Sequence, residues 1–188
     1  MQEKSGREDA EQADRQEGNR RTEKKENPRT WILSVLITIA ATLLFCNFVA
    51  RPSRVIGVSM QNTCHDGDLV LLWELQYHPQ RGDIVVVNSD NPLQENLIKR
   101  VIAVAGDHIV VSNGTVTRNG KKLTEPYVKE QPWSGTDVDL TVPPDHVFLM
   151  GDNRNHSTDS REIGAVAASD VIGKVVVRLY PFTTIRTF

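Results

Sequence analysis

One feature constrains this chain more than any other: a block of 20 uncharged residues from Trp31 to Ala50, WILSVLITIAATLLFCNFVA. At 1.5 Å rise per residue, a helix over this block covers about 30 Å, the thickness of a bilayer's hydrocarbon core. Apolar residues fall on every face of such a helix, as a membrane span requires. Ser34, Thr38, Thr42 and Asn47 dilute the block without excluding insertion, and Trp31 sits where an indole meets the headgroups. The block exceeds the 7–15 residues of a signal-peptide core and follows a long tail, so it is expected to be an uncleaved anchor.

The flanks orient that anchor. Residues 1–30 contain no Val, Ile, Leu, Phe, Trp or Tyr, and hold 16 of the chain's 46 charged side chains. Such a segment cannot offset the entropy of ordering its backbone and is expected to be a disordered tail. Arg20, Arg21, Lys24, Lys25 and Arg29 precede the block, against Arg51 and Arg54 after it. The positive-inside rule then puts the tail in the cytoplasm and residues 51–188 outside. The expected organisation is a cytoplasmic tail over 1–30, a transmembrane helix over 31–50 and an extracytoplasmic domain over 51–188. A net charge of −2 removes the case for a nucleic-acid partner. The two cysteines exclude a disulfide scaffold and a four-thiolate zinc site. Cys46 is expected in lipid and Cys64 as a lone outer thiol.

The outer domain reads as all-β, with room for one short helix. Apolar, β-branched runs recur at Leu69–Leu75, Ile84–Asn88, Leu97–Ala105, His108–Ser112, Val147–Met150 and Val171–Tyr180. Asn113-Gly114 and Asn119-Gly120 fit tight hairpin turns, since both residue types tolerate positive φ. Pro126, Pro132, Pro143 and Pro144 mark a loop-rich insertion between Glu125 and Asp145.

The chemistry-bearing candidates lie in three segments. None of the five histidines forms a close ligand pair, no phosphate loop occurs, and no metal or cofactor is expected. The first segment holds Ser59, just after the anchor; the second holds Lys99 inside an apolar run; the third is GDNRNHSTDSR, residues 151–161. Strand alternation leaves two placements for Lys99. The segment by itself favours Lys99 outward and Arg100 inward. The opposite placement would desolvate the amine, depress its pKa and make it a general base. A serine needs such a base within hydrogen-bond reach to become a nucleophile, and no histidine stands out as the partner of Ser59.

Together the three segments resemble type I signal peptidases, or leader peptidases, of the bacterial Ser-Lys kind, and in particular short Gram-positive members. GVSMQNT behind the anchor resembles the nucleophile box, LIKRVIAVAGD the lysine box and GDNRNHSTDSR the third signature. GDIVVV at 82–87 and the closing GKVVVRLYPF also look like the family, so the resemblance spans roughly residues 30–188. It implies a Ser-Lys protease fold of coiled antiparallel sheets, in a single-pass protein of the bacterial cell membrane. Its partners would be secretory preproteins and the phospholipid membrane, cut sites following small residues of the Ala-x-Ala type. The resemblance makes Ser59 the nucleophile and Lys99 the general base, with Ser157 orienting the Lys99 amine by a hydrogen bond. Asp152, Arg154, Asp159 and Arg161 would form ion pairs that hold the third box, and Val55 and Ile98 would line the substrate pocket. Gly57 stands where some relatives carry a serine that helps stabilise the oxyanion. Asn62 and Cys64 replace the proline and leucine of the common S-M-x-P-T-L, which puts the rigidity of this loop in question. Two other classes compete: a self-cleaving repressor, which would need a DNA-binding module, and a non-enzymatic tethered β domain, which would make the three boxes accidental.

Overall fold

The computed structural model describes residues 28–48 and 50–188, with the side chains of 46–48 left aside; most of the expected tail, residues 1–27, lies outside this range. Helix α1 spans Pro28–Phe48. It starts three residues before the expected Trp31, because proline suits a first helical position, where its missing N–H is not needed. Ala50, expected in the helix, instead opens the first strand. The helix is long and apolar enough to cross a membrane. Its apolar side chains are exposed all round, Trp31, Leu36 and Leu44 among them. The Ser34, Thr38 and Thr42 hydroxyls donate to the carbonyls of Trp31, Ser34 and Thr38 at 2.7–2.8 Å. Their polar groups are thereby satisfied within the helix, as a lipid environment demands.

Residues 43–188 form a separate compact unit, and all of its strand pairings are antiparallel. The strands are β1 (Ala50–Arg54), β2 (Leu69–Trp73), β3 (Ile84–Val87), β4 (Leu97–Val104), β5 (His108–Ser112), β6 (Thr115–Arg118), β7 (Lys121–Lys122), β8 (Val138–Thr141), β9 (His146–Met150), β10 (Val166–Ala167), β11 (Val171–Tyr180) and β12 (Arg186–Thr187). A short helix, α2 (Ser160–Ile163), follows β9. The larger sheet runs β1-β2-β11-β3-β4-β9-β10, with β12 on β11; the smaller runs β7-β6-β5-β8. Register shifts along β11 and β4 mark irregularities of the bulge kind, which bend and twist strands.

The all-β expectation therefore holds, and the apolar runs became β2, β3, β4, β5, β9 and β11 within two residues at each end. Both Asn-Gly turns carry positive φ at each residue. Four strands escaped the pattern: β1, β8 and the two-residue β10 and β12. β1 contains Pro52 and sits at a sheet edge, where a missing N–H is tolerated. β8 lies inside the proline-marked insertion. The central strands β3 and β4 are buried on both faces. Three apolar clusters cover them, one built on Val70, Leu72 and Ile84, one on Ile102 and Phe148, and one on Val85, Val101 and Leu149.

Candidate active site

The nucleophile candidate sits in the loop between β1 and β2. Hydrogen bonds from Val55 N to Asp68 O (2.8 Å) and Gly67 N to Val55 O (2.9 Å) close the base of this loop. Met60 and Cys64 plug into the core beneath it, and a turn joins them from Cys64 N to Met60 O at 2.8 Å. Burial, with the Asp68 carboxylate adding to it, pushes the Cys64 thiol up to about 12, so it remains a protonated packing group. From the third box, Asn153 clamps the loop with two donors. Its N–H reaches Ser59 O at 2.9 Å and its Nδ2 reaches Val58 O at 3.1 Å.

Lys99 lies on β4 opposite Val85 and points to this loop. Its Nζ stands 3.0 Å from Ser59 Oγ, and the residue is 4% exposed. The segment-level placement of Lys99 towards solvent is thus reversed. Arg100 is also largely covered, its side chain 11% exposed. Alternation decides solvent exposure only where one sheet face is open, and here neither is. Desolvation lowers the Lys99 pKa below its ordinary 10.5. Asp159 opposes that shift, Arg161 reinforces it and Glu95 opposes it. Among the described residues, the Lys99 side chain hydrogen-bonds to Ser59 alone.

The reason lies in how Asp159 is occupied. It accepts from Gly151 N (2.9 Å), Ser157 Oγ (2.8 Å), Arg161 Nε (2.8 Å) and Arg161 Nη2 (3.0 Å). The expected hydrogen bond between Ser157 and Lys99 is not made; the Ser157 hydroxyl donates to Asp159. Gly151 is what lets these groups meet, since a Cβ there would collide with the Ser157 side chain and the Ser59 carbonyl.

All four residues expected to form ion pairs are paired, but only Asp159 and Arg161 pair with each other. Asp152 takes a bidentate grip from Arg100 at 2.8 and 2.7 Å and a hydrogen bond from the Thr63 hydroxyl. Arg154 pairs with Glu125 at 2.6 Å. The box is thus pinned to β4, to the nucleophile loop and to the 125–130 segment. Arg100, Thr63, Glu125 and Asn153 were not singled out in the sequence, because their partners lie 29 to 95 positions away.

Gly57 has φ of +90° and gives its N–H to Asp66 Oδ1 at 2.8 Å. Its own amide is therefore committed, whereas the Ser59 N–H meets no acceptor among the described residues. Ser59, Lys99, Ile98 and Ser157 border a cleft of about 780 Å³. Val55 and Ile98 border an adjoining, mainly apolar cavity of about 410 Å³ with Leu72, Val86 and Ile172, which Arg51, Arg54 and Asn96 also line.

The family described as signal peptidase, peptidase S26, matches residues 28–180. The chain belongs to the signal peptidase family. A probable signal peptidase I-1 from Synechocystis is 38% identical over 160 residues, covering 80% of each chain. A signal peptidase I from Bacillus licheniformis is 33% identical over 178 residues, covering 88% of this chain and 95% of that one. A crystal structure of a signal peptidase I from Enterococcus faecalis aligns at 30% identity and a TM-score of 0.47, over 53% of this chain and 98% of that one. Membership makes the chain a peptidase of the signal peptidase I type, and the three boxes are not accidental.

Proposed function

We propose that this peptidase is a membrane-anchored Ser-Lys endopeptidase that removes signal peptides from exported preproteins, cutting after small residues. The observation that carries the reading is the 3.0 Å approach of a buried amine to Ser59 Oγ. The uncharged Lys99 amine accepts the Ser59 proton as Oγ attacks the scissile carbonyl. The Ser59 N–H donates to the developing oxyanion. The Lys99 ammonium then returns its proton to the leaving amine, and the same amine activates the water that releases the acyl group. Ser157 acts through Asp159: by helping to saturate that carboxylate it keeps a competing acceptor away from Lys99.

The apolar cavity of Val55 and Ile98 receives the small residues before the cut. Helix α1 anchors the chain, with residues 1–30 in the cytoplasm and 51–188 at the outer face, where signal peptides emerge. Preproteins and the lipid bilayer are its partners. The test is preprotein cleavage by the full chain in detergent. Ser59→Ala and Lys99→Ala each abolish cleavage; full activity in either variant defeats the assigned roles.

A further inference from the structure

The cleft does not end at Ser157. His156 borders it and also borders a second hollow of about 480 Å³, walled by Pro132, Trp133, Ser134 and Asn155. This hollow has a built frame. Trp133 is buried, with the Arg154 and Arg161 guanidiniums 5.0 and 5.4 Å from its ring centre. Ser134 N donates to Asn155 Oδ1 and Asn155 Nδ2 to Glu130, both at 3.2 Å. His156 Nδ1 lies 3.3 Å from Asn153 Oδ1, the residue that clamps the nucleophile loop. The hollow's polar wall is thus tied to the groups that position Ser59.

The cleft also shares Ile56, Asn96, Leu97 and Ile98 with the apolar cavity. A peptide whose scissile carbonyl sits at Ser59 runs both ways. With its acyl side in the apolar cavity, its leaving side passes His156. We infer that the hollow behind His156 binds the leaving side of the substrate, the first residues of the mature protein, and selects polar side chains there. This rests on the Ser59 reading above and extends it to the other half of the substrate.

The test uses the full chain in detergent and three peptides with one acyl side ending in Ala-x-Ala. One carries a single amidated residue after the cut, one carries five polar residues, and one carries five apolar residues. The native enzyme is expected to favour the long polar peptide over the short one by about tenfold in kcat/KM, carried by KM. It gains less with the apolar one. Ser134→Trp, which fills the hollow, and His156→Ala, which removes its shared wall, each bring the long-to-short ratio to about one. The ratio is read on one preparation, so a loss of active fraction cancels. Equal rates for long and short peptides in the native enzyme, or an undiminished ratio in both variants, overturns the inference. Failure to cut any of the three overturns the Ser59 reading instead.

Discussion

Replacing Lys99 by methionine separates chemistry from stability. The side chain keeps nearly the same volume in its site but loses the amine 3.0 Å from Ser59 Oγ. Burial lowers the folded-state pKa of Lys99 below the ordinary 10.5. Between those two values the unfolded chain binds more protons than the folded one, so native stability rises with pH. The slope reaches about 1.4 kcal/mol per pH unit in that window, flattens above 10.5 and flattens again below the depressed value. Below the window the native protein carries the whole penalty, and Lys99→Met carries none of it. The stability of the native enzyme relative to Lys99→Met is therefore lowest below the depressed value and climbs as pH rises towards 10.5. Chemical unfolding of both proteins in detergent, from pH 7 upward, measures this difference. The same amine sets the pH–rate profile: kcat/KM of the native enzyme rises through the depressed value, below 10.5, while Lys99→Met loses turnover at every pH. A flat stability difference, together with an activity limb at the ordinary lysine value, would refute the argument that burial makes this amine a base.

Three further outcomes follow from the geometry. Asn62 has φ of +91° and donates Nδ2 to Tyr127 O at 3.1 Å. Asn62→Pro forces φ to a negative value and should lower stability by about 1–3 kcal/mol, while Asn62→Gly keeps the backbone and costs less than about 1.5 kcal/mol, as calorimetry would read. Gly151→Ala pushes Ser157 or the Ser59 carbonyl aside; a displacement near 1 Å predicts a fall of about 100-fold in kcat in a peptide assay. Burial would raise the Asp107 pKa, but Arg81, Val104 N–H and Asn119 together hold it to about 2 rather than 3.8. Its stabilisation is present above 3.8 and lost as pH falls towards 2, so Asp107→Asn should cost about 1–2 kcal/mol at neutral pH, discounted for the half-exposed Arg81, and nearly nothing at the acid end.

The limits of the sequence reading follow one physical line. Ser59, Lys99 and the third box were legible because each is a local run of residue types with few other uses together. Strands of β-branched residues were legible for the same reason. The burial of both Lys99 and Arg100 was not, because it depends on which clusters cover the two faces of β4, and the cover comes from strands far along the chain. The partners of Asp152 and Arg154 were missed likewise: Arg100 and Glu125 carry no local mark of a pairing made across sheets. The Ser157 contact was not legible because it depends on where the chain places Asp159, which, at the start of α2, accepts the Ser157 hydroxyl at 2.8 Å.

The departures at Gly57 and Asn62 belong to one design. Both positions take positive φ, at +90° and +91°. A serine at 57 would be strained by that backbone, although a Cβ would meet no neighbour there. A proline at 62 cannot adopt it at all. The rigidity that a proline would lend this loop comes instead from the 125–130 segment. Tyr127 O accepts from Asn62, Lys129 Nζ donates to Gln61 Oε1 at 2.8 Å, and Lys129 N donates to Asp152 O at 3.0 Å. The Tyr127 ring lies 4.0 Å from the Arg100 guanidinium that grips Asp152. The 125–130 segment of an insertion that reads as loop from its prolines is thus a strap on the Ser59 loop, which takes its order from hydrogen bonds to that strap rather than from its own covalent stiffness.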